Sequence, residues 1–292
     1  MNDSEILDLI GNSKFSIAVG GYNSDNFDKN CKINNVIIFD GMTHPDEIIS
    51  HGSNIVRIHH TNITHLNSEK LIYFKNIRII SDEQWELKMF LAKINENSDS
   101  LFLTSSKFSL VESQFCLSNA KNSLDENDLF TSCWIKSATM FLIDSILLKN
   151  QIIPTPTHSL SSLRNIKQNN LNNFSDQIIS EMGLERTTPS LLSRMLKSTS
   201  GFSDMIEKND SSKIIEKKAT YLIDNSLLSD CYLFLSYHNR NNFYKIKNSL
   251  NKNLDKIHIL KTAFDLVNNA SELYATINSL QNITKSLLTL YR

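Results

Sequence analysis

Proline, glycine and cysteine are scarce in this chain of 292 residues, which has 4, 7 and 4 of them respectively. The cysteines lie far apart and form no CxxC pair, so a zinc site built from cysteines is disfavoured. Unpaired thiols are typical of a reducing compartment, and we expect a cytoplasmic protein. The positions of the cysteines are Cys31, Cys116, Cys133 and Cys231.

Long apolar runs are also lacking. No uninterrupted stretch approaches the roughly 18 residues that a membrane span needs, so we expect no membrane partner. The first residues, MNDSEILDLIGNSKF, include early acids and no long apolar core, which is unlike a secretory signal. An apolar fraction of 40% and a charged fraction of 21% are typical of a globular protein, here long enough for two domains.

Charge is nearly balanced overall, at −1, but it is unevenly distributed. Residues 1–98 contain 9 basic and 13 acidic side chains, whereas residues 213–292 contain 11 basic and 6 acidic ones. The acidic part of the chain therefore precedes the basic part.

Short runs of β-branched and aromatic residues, bounded by Asn, Gly or Asp, predict strands in residues 1–98. These runs are FSIAVGG, NNVIIFDG, SNIVRIHH, LIYFKN and IRIIS. SEILDLIGN, HPDEIISHG and DEQWELKMFLAKI predict helices between and around them, with Pro45 at the start of the second. We therefore predict a small mixed-sheet domain at 1–98.

The strand signals fade after about residue 100, and residues 99–292 predict an all-helical region. LFTSCWIKSATMFLIDSILLKN is apolar nearly all round, as expected for the centre of a bundle. Thr188, Pro189 and Gly201 predict the two ends of a later helix, and Asn268–Asn269 predicts a kink in a last long one. The region forms one bundle or two, with a break near 150–160 or 200–212. The predicted fold class is α+β.

The stretch FSIAVGGYNSDNFDKNCKINNVIIFDG predicts a strand, a glycine turn and a second strand. Glycine allows a backbone to approach a phosphate closely. This order of elements resembles the minimal nucleotidyltransferase family, in which a strand ending in Gly-Ser is followed by one bearing acid–apolar–acid, with a third acid on the next strand. The resemblance implies a nucleotide site at Gly20, Gly21, Asp25 and Asn35.

The acids that the family needs for two metal ions are missing at the matching positions. Gly20 matches the family's glycine, but Gly21 stands in place of serine. Asn35-Val36-Ile37 occupies the place of the paired acids, and residues 56–60, VRIHH, contain no third acid. The resemblance therefore implies a degenerate site, with Mg²⁺ and a nucleotide as cofactors only if another acid, Asp25, Asp28 or Asp40, substitutes.

The helical region resembles the HEPN partners that accompany this family. Their ribonucleolytic signature, Arg followed after four to six residues by His, is absent here, because His158 precedes Arg164. RNA cleavage by that mechanism is disfavoured. His59 and His60 are adjacent on a predicted strand, so they face opposite ways and cannot hold one metal together.

Basic and aromatic residues alternate in YHNRNNFYKIKNSLNKNLDKIHILK, a combination that suits phosphate contact with base stacking. The candidate nucleic-acid contacts are Arg240, Lys245, Lys247 and Lys252. The alternative is a solvated helix face whose aromatics are core anchors, because apolar residues at helical spacing already form a stripe through the segment.

Two functions follow from these patterns. The first is a non-catalytic or divergent nucleotidyltransferase-like protein that binds a nucleotide or a protein partner, the latter including a second copy through its helices. The second is a nucleic-acid-binding or scaffolding protein that acts through its basic C-terminal helices.

Overall fold

The computed structural model describes residues 1–11, 14–20, 26–42, 44–166, 169–252 and 254–291. The chain divides into two compact units, Met1–Ser105 and Ser106–Arg292. The predicted boundary, between residues 98 and 99, lies seven residues before this division.

A mixed sheet forms the first unit, and in the described part of the chain it has five strands in the order β3-β4-β2-β1-β5. The β2–β4 pair is parallel and the other pairs are antiparallel. The strands are β1 (Ser16–Val19), β2 (Ile33–Phe39), β3 (Glu47–His51), β4 (Asn54–His60) and β5 (Arg78–Ser81). The helices are α1 (Asp3–Ile10), α2 (Asn26–Asn30), α3 (Ser68–Leu71), α4 (Glu86–Glu96) and the start of α5 (Ser98–Asp125).

Side chains alternate along β2, so its apolar residues pack on both faces of the sheet. Ile37 and Phe39 pack in a cluster with residues of α4, including Leu87. Val36 and Ile38 pack on the other face in a cluster that includes Ile6 of α1. The α+β fold class is thus confirmed.

The predicted helix in HPDEIISHG is wrong: this segment supplies β3, which pairs antiparallel with β4. A two-residue turn joins the strands, since His51 pairs with Asn54, and Gly52 adopts φ +60° as such turns require. Pro45 lies before the strand and leaves its ladder intact. The hairpin partner, rather than the local helix signals, decides the conformation.

The strand predicted at LIYFKN is also wrong. Leu71 ends α3, and a 3-10 turn, Ile72–Phe74, follows it. Ile72 and Phe74 are buried by that turn, which satisfies the apolar run without a strand. The next run does form β5, at the edge of the sheet.

The second unit is helical. Its elements are the rest of α5, α6 (Thr131–Lys149), α7 (Ser159–Arg164), α8 (Asn169–Met182), α9 (Pro189–Glu207), α10 (Ser211–Asp224), α11 (Leu228–Ile246), α12 (Ile257–Ala263) and α13 (Ala270–Leu290). α6 packs against α7, α8, α11 and α13, as predicted for a central helix. Within the described ranges, α6 alone is long and apolar enough to cross a membrane, but 94% of that window is buried inside the structure, as in the core helix of a bundle.

The starts of two helices in this unit follow their sequence signals. The side chain of Thr188 accepts a hydrogen bond from the backbone N–H of Leu191, and Pro189 is the first residue of α9. Gly201 does not end α9, however, because the helix continues to Glu207. The predicted last helix is interrupted before Asn269, whose side chain caps α13. All four cysteines lie in the described ranges and are buried free thiols.

Candidate functional site

Gly20 and Asn35 lie together at one end of the sheet. Gly20 directly follows β1 and has φ +101°, a backbone conformation that favours glycine. Its N–H donates to the carbonyl of Asn35 at 3.0 Å, which extends the β1–β2 ladder by one bond. Two of the four predicted nucleotide contacts are therefore neighbours. The other two, Gly21 and Asp25, lie outside the described residues.

Asn35 is held by a carboxylate from α2. Its Nδ2 donates to Oδ2 of Asp28 at 2.5 Å, and Asp28 is 5% exposed. This bond fixes α2 against the start of β2. Asp28, which the sequence offered only as a substitute acid, therefore belongs to the site through its contact with Asn35.

A cleft of about 430 Å³ opens at this end of the sheet. Its polar lining consists of the backbone of Gly20, four asparagines and four charged side chains, of which three are cationic. These residues are Asn34, Asn35, Asn54, Asn76, Asp28, Lys29, Lys32 and Arg78. The described lining of the cleft thus combines the backbone of Gly20, amide groups and an excess of positive charge.

Arg78 is held in place at the cleft by Asp3 of α1. Its Nη1 and Nη2 donate to the two carboxylate oxygens of Asp3 at 2.6 and 2.7 Å. The hydrogen bond to Arg78 lowers the pKa of Asp3, and the same bond raises the pKa of Arg78. Lys32 makes a longer contact, from Nζ to Oγ of Ser53 at 3.4 Å, and Lys29 is exposed on the last turn of α2.

The described residues of the cleft do not offer the donors of a two-metal centre. In the register of the sheet Asn35 lies beside Arg57 of β4, and Ile37 lies beside His59. Ile37 is buried in the core, and Asp28 is the one carboxylate among the lining residues described. Among the residues that the structure describes, no group of three or more His, Cys, Asp or Glu side chains could hold a metal ion. These described residues do not by themselves fit two Mg²⁺ ions.

The two strand histidines have separate carboxylate partners, as their predicted opposite orientation requires. His59 Nδ1 lies 2.7 Å from Asp46 Oδ1, and His60 Nδ1 lies 2.6 Å from Asp40 Oδ2. Burial raises the pKa of Asp46, but His59 and Arg57 outweigh it and lower that pKa to about 2. Burial also raises the pKa of Asp40, and His60 with the Met42 N–H lowers it below the usual value. Both pairs are charge contacts at the sheet, and Asp40 is thereby engaged with His60.

Arg240 is not available to nucleic acid, and the prediction of a surface contact there is wrong. It is 4% exposed, and its Nη1 donates to Oδ2 of Asp144 on α6 at 2.6 Å. Its guanidinium carbon lies 4.3 Å from the ring centroid of Phe141 and 4.5 Å from that of Tyr237. Burial raises the pKa of Asp144, although Arg240 opposes the shift. Arg240 and Asp144 therefore form a buried ion pair that joins α11 to α6.

The other basic candidates differ from one another. Lys245 forms an ion pair with Glu207, and Lys247 lies 4.0 Å from the ring centroid of Tyr244 and 4.9 Å from that of Phe115. Lys252 is exposed. Two of the three remaining cations therefore already have partners in the helical unit.

Sequence reasoning missed Lys29, Lys32 and Arg78. They belong to α2, to the turn after it and to β5, and only the sheet brings them to one cleft. Lysines close to the glycine turn were the available signal, but Arg78 lies 58 residues after Gly20, and no local pattern links the two.

Comparison with known proteins does not assign this chain to a family. No protein-family model matches the chain, and no curated protein matches it. A nucleotidyltransferase-like protein from Exiguobacterium sibiricum, of known crystal structure, is similar with a TM-score of 0.34 and 10% identity, over 86% of this chain and 88% of that one. A TM-score at this level does not define a shared fold, and function must be argued from the site itself.

Proposed function

We propose that the N-terminal unit binds the phosphate groups of a nucleotide in the cleft at Gly20 and Asn35 and does not transfer them. The observation that carries this proposal is the lining: three cationic side chains and four asparagine amides share the cleft with the backbone of Gly20. Backbone N–H groups and cations of this kind are what phosphate groups bind in proteins.

The cations suit a phosphate because they come from separate elements and face one space. Arg78 uses one N–H of each terminal nitrogen on Asp3, and a guanidinium has five N–H donors, so donors remain for a ligand. Lys29 and Lys32 add charge without a carboxylate within salt-bridge distance in the described chain. The volume of about 430 Å³ is in the range of small-molecule sites.

Binding without transfer follows from the donor set. In-line phosphoryl transfer by two metal ions needs several carboxylates close to the phosphates, and the described lining of the cleft has Asp28 alone, which already accepts a bond from Asn35. Asp40 belongs to the opposite end of β2 and is engaged with His60. We therefore assign the cleft a binding role. The likeness of the helical unit to HEPN proteins stays a prediction.

Isothermal titration of the full chain with ATP, CTP and GTP, with and without Mg²⁺, tests the proposal. We expect one nucleotide to bind, and the variant K29E/K32E to bind it at least about tenfold more weakly, because two cations become anions. Lys93→Glu is the matched control, since Lys93 is exposed on α4 and does not line the cleft.

Two results would overturn the proposal. Absence of heat with every nucleotide would exclude the ligand class, and an equal loss in K93E and K29E/K32E would show a general charge effect rather than a site. Release of pyrophosphate from a nucleoside triphosphate by the full chain, abolished in Asp28→Asn, would contradict the binding-only role.

A further inference from the structure

A second cleft, of about 220 Å³, lies in the helical unit and is distinct from the nucleotide cleft. Residues of α6, α8, the 3-10 turn Leu184–Arg186 and α13 line it. Lys136 is its buried cation, whereas Glu185 and Glu272 are exposed at its rim. Ile135, Val267 and Leu273 supply an apolar part of the wall.

Lys136 is a buried cation without an adjacent counter-ion. It is 4% exposed, and its Nζ donates to the carbonyl of Met182 at 2.6 Å and to Oη of Tyr232 at 2.9 Å. In the part of the chain that the structure describes, no carboxylate lies within 4.0 Å of that Nζ. An ammonium has three donors, so one remains beyond the two neutral oxygen atoms.

Asp265, an acidic residue on this side, already has partners. Its Oδ2 lies 3.0 Å from Nη2 of Arg186 and accepts a hydrogen bond from Tyr232 at 3.3 Å. Burial lowers the pKa of Lys136 to about 8 and Arg186 acts in the same direction, whereas the charges of Asp265, Glu185 and Glu272 oppose the shift. A buried charge left in this state is costly, and an anionic ligand group would relieve the cost.

The rim has an excess of unpaired negative charge. Glu185 and Glu272 are exposed and form no ion pair within the described ranges, whereas Arg186, the exposed cation in the same lining, is paired with Asp265. Glu181 accepts a hydrogen bond from Thr276 at 2.8 Å. A ligand with only negative charge would be repelled by the rim glutamates, and a ligand with only positive charge would be repelled by Lys136 inside the cleft. A ligand with one charge of each sign can pair with Lys136 and with the rim glutamates at the same time.

We propose that this cleft binds a small free amino acid, with its carboxylate on Lys136 and its ammonium toward Glu185 and Glu272. The volume equals that of about seven water molecules in the liquid, which admits a ligand such as alanine, serine or valine. The apolar wall of Ile135, Val267 and Leu273 suits a short aliphatic side chain.

Titration of the full chain with L-alanine, L-serine and L-valine, followed by calorimetry and by ligand-observed NMR, tests the proposal. Propionate and ethylamine serve as half-ligands that keep one charge each. We expect at least one amino acid to bind, and both half-ligands to bind at least about tenfold more weakly. Equal binding of either half-ligand, or no binding of any amino acid, would overturn the proposal.

Two variants locate the site. Lys136→Met removes the charge at similar length and should abolish binding, whereas Lys218→Met, at a lysine that is 1% exposed on α10 and outside the cleft, should leave it unchanged. E185Q/E272Q changes exposed side chains only, so it should fold even where Lys136→Met does not. We expect it to weaken alanine binding at least about tenfold and to strengthen propionate binding. Unchanged binding of both ligands by E185Q/E272Q would overturn the assignment of the rim.

Discussion

Lys136 shows how one buried side chain affects stability. Burial lowers its pKa from 10.5 to about 8, so the ammonium is less stable in the folded protein than in the unfolded chain. Between these two pKa values the unfolded chain binds more protons than the folded one, and stability therefore rises with pH in that window. Below pH 8 the side chain of Lys136 is charged in both the folded and the unfolded chain, and the full desolvation cost of that charge destabilises the folded state.

We predict that the free energy of unfolding of the natural chain increases by about 3 kcal/mol, relative to Lys136→Met, as the pH rises from 8 to 10.5. Urea unfolding at several pH values, monitored by the fluorescence of the buried Trp134, measures the difference. Because the buried tyrosines and cysteines titrate in the same pH range in both chains, their contribution to the free energy of unfolding cancels when the natural chain is compared with Lys136→Met.

Lys136→Arg is the matched control for that prediction. Arginine keeps its charge throughout the window, so this variant should lack the rise attributed to Lys136. A parallel pH dependence in the natural chain and in Lys136→Met would contradict the assignment.

At the scale of elements, the contact between α6 and α11 includes a buried ion pair. Asp144 and Arg240 have side chains that are 8% and 5% exposed, and their atoms lie 2.6 Å apart. Removing one partner leaves the other charge buried, whereas replacing both by apolar residues removes two desolvation costs together. The pair therefore makes the association of these helices sensitive to single changes.

We predict that Asp144→Asn lowers the free energy of unfolding by about 3–5 kcal/mol, and that the double variant D144L/R240M is equal to the natural chain or more stable. Urea unfolding of Asp144→Leu, Arg240→Met and the double variant D144L/R240M gives the coupling energy. Additive losses in the three variants would show that the pair is not coupled, contrary to its geometry.

The same scale shows which elements the sequence could predict. α9 was foreseeable because Thr188 and Pro189 act within one turn, and α6 because its apolar character extends over 19 residues. β3 was not, since Ile48 and Ile49 in a five-residue run fit a helix or a strand equally. Its pairing with β4 decided the conformation, and that pairing is not a local property.

Site residues follow the same rule. Gly20 and Asn35 were predicted together because strand order brings the end of β1 to the start of β2. Arg240 was misjudged because its partner, Asp144, precedes it by 96 residues and lies on another helix. A basic composition therefore did not reveal which cations are neutralised by distant acids.

For the whole molecule, uneven charge along the chain does not amount to a basic surface. The C-terminal part has an excess of basic residues, but Arg240 is buried, Lys245 pairs with Glu207, and Lys247 lies over aromatic rings. Two of the aromatic residues that could have stacked with bases already have contacts within the protein. Phe243 is buried, and the Tyr244 hydroxyl donates a hydrogen bond to Glu112. Electrostatic binding of nucleic acid needs several free cations on one surface.

We therefore predict that the full chain binds a single-stranded RNA of about 20 nucleotides only weakly, with little change between about 50 and 200 mM salt. Fluorescence anisotropy of a labelled RNA measures both quantities, with K245E/K252E as the test variant and Lys93→Glu as an exposed control outside the helical unit. Tight binding that weakens steeply with salt and is lost in K245E/K252E alone would restore the nucleic-acid function. Equal, weak binding by all three chains would confirm the prediction, because the exposed basic helices then contribute no measurable affinity.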